Sequence, residues 1–418
     1  MRFKTLDAWL DWQQSLNPKT IELGLDRVER VFNKLNLGKI AGKVIIVAGT
    51  NGKGSTVAYY ETWLRNAGYK VASYTSPHLI NYNERIKLNL ETVTDDSLCE
   101  TFSIIDKARG DIQLTYFEYG TLAALYLIGQ FKPDVAILEV GLGGRLDAVN
   151  IIDADLAHLT PIGLDHQDWL GDTVDLIAYE KAGILRDKGL AVCNMLKPAD
   201  SLLSEFTRHK SQVSALAQDY NFQVLSKGYL EWSNDRISVK VRLPLPGWHQ
   251  ALNISGVLEG LFLLGFLDSR SEQQIVSNFD GVSCPGRLQK IETGLAFQLW
   301  LDVGHNEDAA AALALALGEL EVKGRIVVLL GMLSDKNPAG FVAKLKPVVD
   351  EWWGLGLSCD RGLSAEQLSE RLADVVSLDK MFNSSQQVIQ QAVLNLNNQD
   401  ILLVCGSFMT AQVILDVV

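Results

Sequence analysis

Along the whole chain, short apolar runs alternate with segments whose apolar residues recur at three- and four-residue spacing. The runs at 44–48, 71–75, 135–140, 156–161 and 190–193 predict strands, and a second series follows at 298–303, 326–330, 351–355 and 401–405. Between the two series, residues 222–243 alternate polar and apolar side chains around Ser233-Asn234-Asp235, the pattern of an antiparallel hairpin at the edge of the first domain. Residues 257–266 are strongly apolar and predict a core helix. Strands that alternate with helices predict an α/β fold, with parallel sheets covered by helices and ligands at the carboxyl ends of the strands. The turn-rich stretch from Asp280 to Arg287 separates the two series. It divides the chain into a domain at 1–283, a linker at 284–290 and a smaller domain at 291–418.

The strand at 44–48 runs into Gly49-Thr50-Asn51-Gly52-Lys53-Gly54-Ser55, and a helical pattern follows from Thr56 to Ala67. A strand, a glycine-rich turn and a helix start together make a phosphate cradle, in which backbone N–H groups and the helix dipole face the anion. Lys53 would reach the β- and γ-phosphates of a nucleotide and Ser55 would ligate Mg²⁺. The first domain is therefore expected to be a P-loop mononucleotide-binding domain, and the second a Rossmann-like α/β domain. The usual pattern has Ser or Thr directly after the lysine; here Gly54 intervenes, and position 47 is Val. That departure points away from GTPases and simple kinases.

Composition narrows the partners. The 418 residues are 47% apolar and 21% charged, as in globular domains, and the net charge is −12. Such a charge disfavours broad nucleic-acid or anionic-membrane binding, so phosphate and carboxylate ligands must be held by local cations and metal ions. The first residues lack the apolar core of a signal peptide and no run approaches a bilayer span. Cys99, Cys193, Cys284, Cys359 and Cys405 are scattered without a Cys-x-x-Cys pair. The expectation is a cytoplasmic, monomeric enzyme acting on small molecules.

Further motifs follow in order: Thr75-Ser76-Pro77-His78-Leu79, Tyr82-Asn83-Glu84-Arg85-Ile86, Glu139-Val140-Gly141-Leu142-Gly143-Gly144-Arg145-Leu146-Asp147, Leu164-Asp165-His166, Glu180-Lys181-Ala182-Gly183-Ile184, Pro285-Gly286-Arg287, Asp302-Val303-Gly304-His305-Asn306 and Cys405-Gly406-Ser407-Phe408. In this order and spacing the chain resembles the folylpolyglutamate synthases, in the Mur-ligase superfamily of ATP-dependent amide-forming enzymes. From the residues alone, Glu139 at the end of an apolar strand is a natural Mg²⁺ ligand. Ser76 alone would be a turn residue, and Lys181 alone an ion-pair partner. The resemblance implies that Ser55, Ser76 and Glu139 hold one Mg²⁺. It also implies that Lys181 is carbamylated by CO₂ and, with His166 and Glu139, serves a second. It further assigns Asn253 to the adenine, Arg287 and Asp302 to the nucleotide, and His305 to nucleotide or glutamate. Where the family continues with Pro-His, this chain has Glu307 and Asp308.

The family contains enzymes that only lengthen the glutamate tail and enzymes that also add the first glutamate to dihydropteroate. The second type carries segments matched here by Leu114-Thr115-Tyr116-Phe117-Glu118 and Leu146-Asp147-Ala148, with Ser15-Leu16-Asn17-Pro18 closing over the pterin. Phe117 offers a stacking face and Asp147 an acceptor for pterin N–H groups. Taken singly, Phe117 reads as core and Asp147 as a turn. The resemblance thus implies ligation of L-glutamate to dihydropteroate and to reduced folates through an acyl phosphate. Tail elongation alone, or another Mur-type amino-acid ligation, stands as the alternative.

Overall fold

The protein is described by a computed structural model that covers residues 2–16, 22–225 and 228–418. It divides into two compact units, one of residues 1–244 with 251–282 and one of residues 245–250 with 283–418.

The first unit holds β1 (Lys43–Ala48), β2 (Val71–Tyr74), β3 (Ile86–Leu88), β4 (Glu91–Thr92), β5 (Val135–Glu139), β6 (Leu156–Leu159), β7 (Leu190–Cys193) and β8 (Gln212–Ala215) in one sheet of order β4-β3-β2-β5-β1-β6-β7-β8. β2, β5, β1, β6, β7 and β8 run parallel, while β3 and β4 add an antiparallel edge. Their near-continuous burial explains why these strands read as unbroken apolar runs. The chain leaves β1 towards β2 on one side and later crosses to β6 on the other, so the carboxyl ends of β1, β5 and β6 border a switch-point crevice.

β9 (Tyr220–Leu225), β10 (Tyr229–Asn234) and β11 (Ser238–Arg242) form a separate antiparallel sheet, so three strands stand where the alternation predicted a two-stranded hairpin. The expected core helix starts earlier than its apolar centre, spanning Trp248–Leu263. Its polar first turns hid that start.

The second unit is a six-stranded sheet in the order β12-β13-β17-β14-β15-β16, with β12 (Gln289–Ile291), β13 (Gln298–Asp302), β14 (Ile326–Leu330), β15 (Glu351–Leu355), β16 (Lys380–Phe382) and β17 (Ile401–Cys405). All pairings are parallel except β12 on β13. Its core includes Val328, Leu330, Leu403 and Phe341. Among the described residues no helix is long and apolar enough to cross a membrane.

Candidate active site

The Gly49–Ser55 turn joins β1 to the helix Lys53–Asn66. Gly52 is the N-cap with φ 88° and has no side chain of its own to cap the helix. A Cβ at Gly52 would also overlap Asn253 Oδ1, so that asparagine stands directly against the turn. A helix start behind a glycine turn is a ready-made anion site. The turn is anchored to the segment after β6. Thr50 and Asn51 N–H both donate to the Pro161 carbonyl (2.9 and 3.1 Å), while Thr50 Oγ1 donates to Gly163 O (3.0 Å) and accepts from Gly163 N–H (3.1 Å). Lys53 Nζ folds over the turn and donates to Gly49 O (2.9 Å) and Thr50 O (3.2 Å). Gly54 and the buried Ser55 lie in the first helical turn.

Glu139 ends β5 in register with Val47 of β1, and its Oε2 accepts the N–H of Ser76, just past β2, at 3.2 Å. The two are thus together at the carboxyl edge. Lys181 ends the helix Val174–Lys181 and is 5% exposed. Burial and then the Lys53 charge lower its amine to about 7, against the opposing pull of Asp165 and Asp147. Asp165 belongs to a motif the sequence had singled out without assigning it a role. It accepts His166 N–H at 2.8 Å and lies 4.0 Å from His166 Nε2. His166 has φ 52°, and its side chain is 36% exposed.

Thr115 and Glu118 form the capping box of the helix Tyr116–Phe131: Thr115 Oγ1 accepts Glu118 N–H (3.2 Å) and Glu118 Oε2 accepts Thr115 N–H (2.7 Å). Glu118 Oε1 also accepts from Arg27 at 2.9 Å. Both residues are buried and fix where Tyr116 and Phe117 stand. Phe117 lies against Gly141, where a Cβ would overlap its ring, and 6.2 Å from the Tyr74 ring at 33°. The buried Asp147 uses Oδ2 to accept Gly141 and Leu142 N–H (3.0 and 2.9 Å) and Oδ1 to accept Val149 N–H (3.0 Å). Burial raises its carboxyl to about 6, although those backbone donors pull it down. Leu146 is exposed and Ala148 buried. Ser15 Oγ donates to Trp12 O (2.7 Å) and Leu16 ends the first helix, whereas Asn17 and Pro18 lie outside the described residues.

In the second unit, Asp302 ends β13 and accepts Leu288 N–H (2.9 Å) and Gly304 N–H (2.8 Å). Arg287 lies over the Phe408 ring at 5.7 Å. His305 Nδ1 donates to Val303 O at 3.0 Å. His249 joins this group: burial lowers its pKa, the Asp302 charge raises it and the Arg287 charge lowers it. Its place just before Asn253 was the available sequence signal. Glu307 is turned onto the start of the helix Pro338–Leu345, where Asn337 Nδ2 donates to its Oε1 at 3.0 Å. A helix start accommodates that extra carboxylate. Among the described residues no three His, Cys, Asp or Glu side chains cluster as a metal site.

Residues 47–259 match the Mur ligase middle domain and residues 286–408 the Mur ligase, glutamate ligase domain. Fold and site thus define a Mur-type ligase. The chain is 40% identical to the dihydrofolate synthase/folylpolyglutamate synthase of Escherichia coli, covering 99% of this chain and 95% of that one, and 36% identical to its Haemophilus influenzae counterpart, covering 97% and 95%. Among solved structures, E. coli FolC in complex with DHPP and ADP superposes with a TM-score of 0.92 at 39% identity, covering 99% and 97% of the two chains. A bifunctional folylpolyglutamate synthase/dihydrofolate synthase with Mn, AMPPNP and L-glutamate bound gives 0.88 at 38% identity, covering 99% and 98%. The chain belongs to the dihydrofolate synthase/folylpolyglutamate synthase family.

Proposed function

We propose that the protein uses ATP to join L-glutamate to dihydropteroate, giving dihydrofolate, and to extend folylpolyglutamates. The supporting observation is the coincidence of near-full-length family membership with a glycine turn that opens a helix and carries Lys53, and with Ser76 on Glu139 at the same sheet edge.

In this reading the acceptor's carboxylate oxygen attacks the γ-phosphorus of ATP and ADP leaves. The α-amine of glutamate then attacks the acyl carbon, inorganic phosphate leaves, and the amine loses a proton to give the amide. The protein's part is positioning and charge neutralisation. Lys53 moves from its loop carbonyls to the transferring phosphoryl group. Residues 1–283 form the ATP domain with the pteroate site, and 284–290 a linker to the ligase domain at 291–418. Asn253, Arg287, Asp302 and His305 bind the nucleotide. Phe117 stacks on the pterin, and Asp147 keeps one Oδ1 lone pair for it while shaping the loop of Gly141 and Leu142. Ser15 to Pro18 are assigned to the same substrate.

Hydroxyls and a carboxylate at a nucleotide site suit Mg²⁺, which takes few protein oxygens beside phosphate and water. Ser55, Ser76 and Glu139 would hold one ion, and His166, Glu139 and a carbamylated Lys181 a second. Magnesium would supply neutralisation of phosphate charge. A buried amine lowered to about 7 is substantially neutral at physiological pH, the form that adds to CO₂ with loss of a proton to give a carbamate. The enzyme is proposed to act as a cytoplasmic monomer. Phosphate release should require dihydropteroate and glutamate together; release with neither would contradict ligation.

A further inference from the structure

The motif Tyr82-Asn83-Glu84-Arg85-Ile86 has no role in the site described so far, yet it builds a charged wall beside it. Tyr74 of β2 pairs with Ile86 of β3, and Thr75 N–H donates to Arg85 O at 2.9 Å. Arg85 therefore starts at the carboxyl end of β2, one residue from Ser76 and its contact with Glu139. It is 8% exposed. Its guanidinium lies 5.1 Å from the Tyr82 ring centroid and 5.6 Å from that of Tyr116, the residue beside Phe117. Nε donates to His78 Nδ1 at 2.9 Å. Burial and the Arg85 charge lower His78 to about 4, so it stays a neutral acceptor.

Among the described residues, that bond is the guanidinium's only side-chain hydrogen bond, and no carboxylate forms an ion pair with it. Glu84, its chain neighbour, is committed elsewhere: its carboxylate accepts the N–H groups of Leu79, Ile80 and Asn81. A cation withdrawn from water without an anion is costly, and two aromatic faces offset only part of that cost. With Nε tied back to His78, the two Nη groups form a fixed fork suited to a carboxylate.

We propose that Arg85 is the residue that binds the acceptor's carboxylate and aligns it between the Phe117 face and the Ser76–Glu139 edge. The proposal rests on the ligase reading above, since it presumes a folate-type acceptor in this slot. His78 is then a positioning residue, acting through Arg85.

The test compares wild type, Arg85→Met and Arg85→Lys in steady-state ligation and in equilibrium binding of dihydropteroate and of a carboxylate-free hydroxymethylpterin. Arg85→Met should raise the KM for dihydropteroate and for tetrahydrofolate by about tenfold or more, with the KM for ATP changed by less than about twofold. It should weaken dihydropteroate binding and leave the carboxylate-free pterin unaffected. Equal weakening of both ligands, or an unchanged acceptor KM, would overturn the proposal. If Arg85→Met fails to fold, Arg85→Lys carries the test, because it keeps the charge but loses the fork and must raise the acceptor KM selectively. A wild-type chain that ligated neither acceptor would instead overturn the ligase reading.

Discussion

Lys181 has an environment that suits the proposed carbamate: burial, a second ammonium at Lys53, and two acids to limit the penalty. The sign of its effect on stability follows. The unmodified amine titrates near 7 in the folded chain and near 10.5 when unfolded, so between those values the unfolded state holds more protons and stability rises with pH. In CO₂-free buffer, the urea midpoint of wild type should gain on that of Lys181→Met between pH 7 and pH 9.5. Parallel profiles would show that the amine is solvated. Lys181→Met should also lose ligation. Asp147 gives a second residue-scale expectation. Its carboxylate binds three backbone N–H groups, and both dihydropteroate and tetrahydrofolate carry a pterin. Asp147→Ala should therefore lower kcat/KM for both acceptors to a similar degree, about tenfold to a hundredfold for one charge-assisted bond. A loss confined to one acceptor would show that the loop is not what Asp147 supports.

Elements were legible where burial on both faces makes a strand continuously apolar. The runs at 190–193, 326–330, 351–355 and 401–405 are strands with those same bounds, and β1, β2, β5, β6 and β13 differ at their ends by one or two residues. The edge strands β4, β8, β12 and β16, and β3 beside one of them, were not legible, because they are short and partly solvated, as at Glu91-Thr92. The site behaved similarly: the glycine turn and the Thr115-x-x-Glu118 capping box have local signatures, whereas the seat of Arg85 depends on Tyr116, a contact distant in sequence. The helix Trp248–Leu263 shows another hidden demand. A Cβ at Gly260 would overlap the Tyr60 hydroxyl, which bonds His158 Nδ1 at 2.9 Å. Gly260→Ala should destabilise by about 1–3 kcal/mol in chemical denaturation, the usual cost of overpacking. Adding Tyr60→Phe should recover part of that loss. Strict additivity would place the strain elsewhere.

At the scale of the whole molecule the chain is two α/β units, and residues proposed above to bind ligands occur in each. The first carries the glycine turn, Glu139, Lys181 and the Phe117 slot, and the second carries Arg287, Asp302 and His305. A net charge of −12 brings no general attraction for anionic substrates, so the proposed reading assigns their recognition to local cations, Lys53, Arg85 and Arg287 among them. The most direct measurement is product analysis with purified protein, ATP, Mg²⁺ and L-glutamate, with dihydropteroate and tetrahydrofolate supplied separately. The account predicts dihydrofolate from the first and a tetrahydrofolate longer by one or more glutamates from the second, each with one ADP and one phosphate per amide formed. ATP hydrolysis that did not depend on either acceptor, or product from neither, would contradict it.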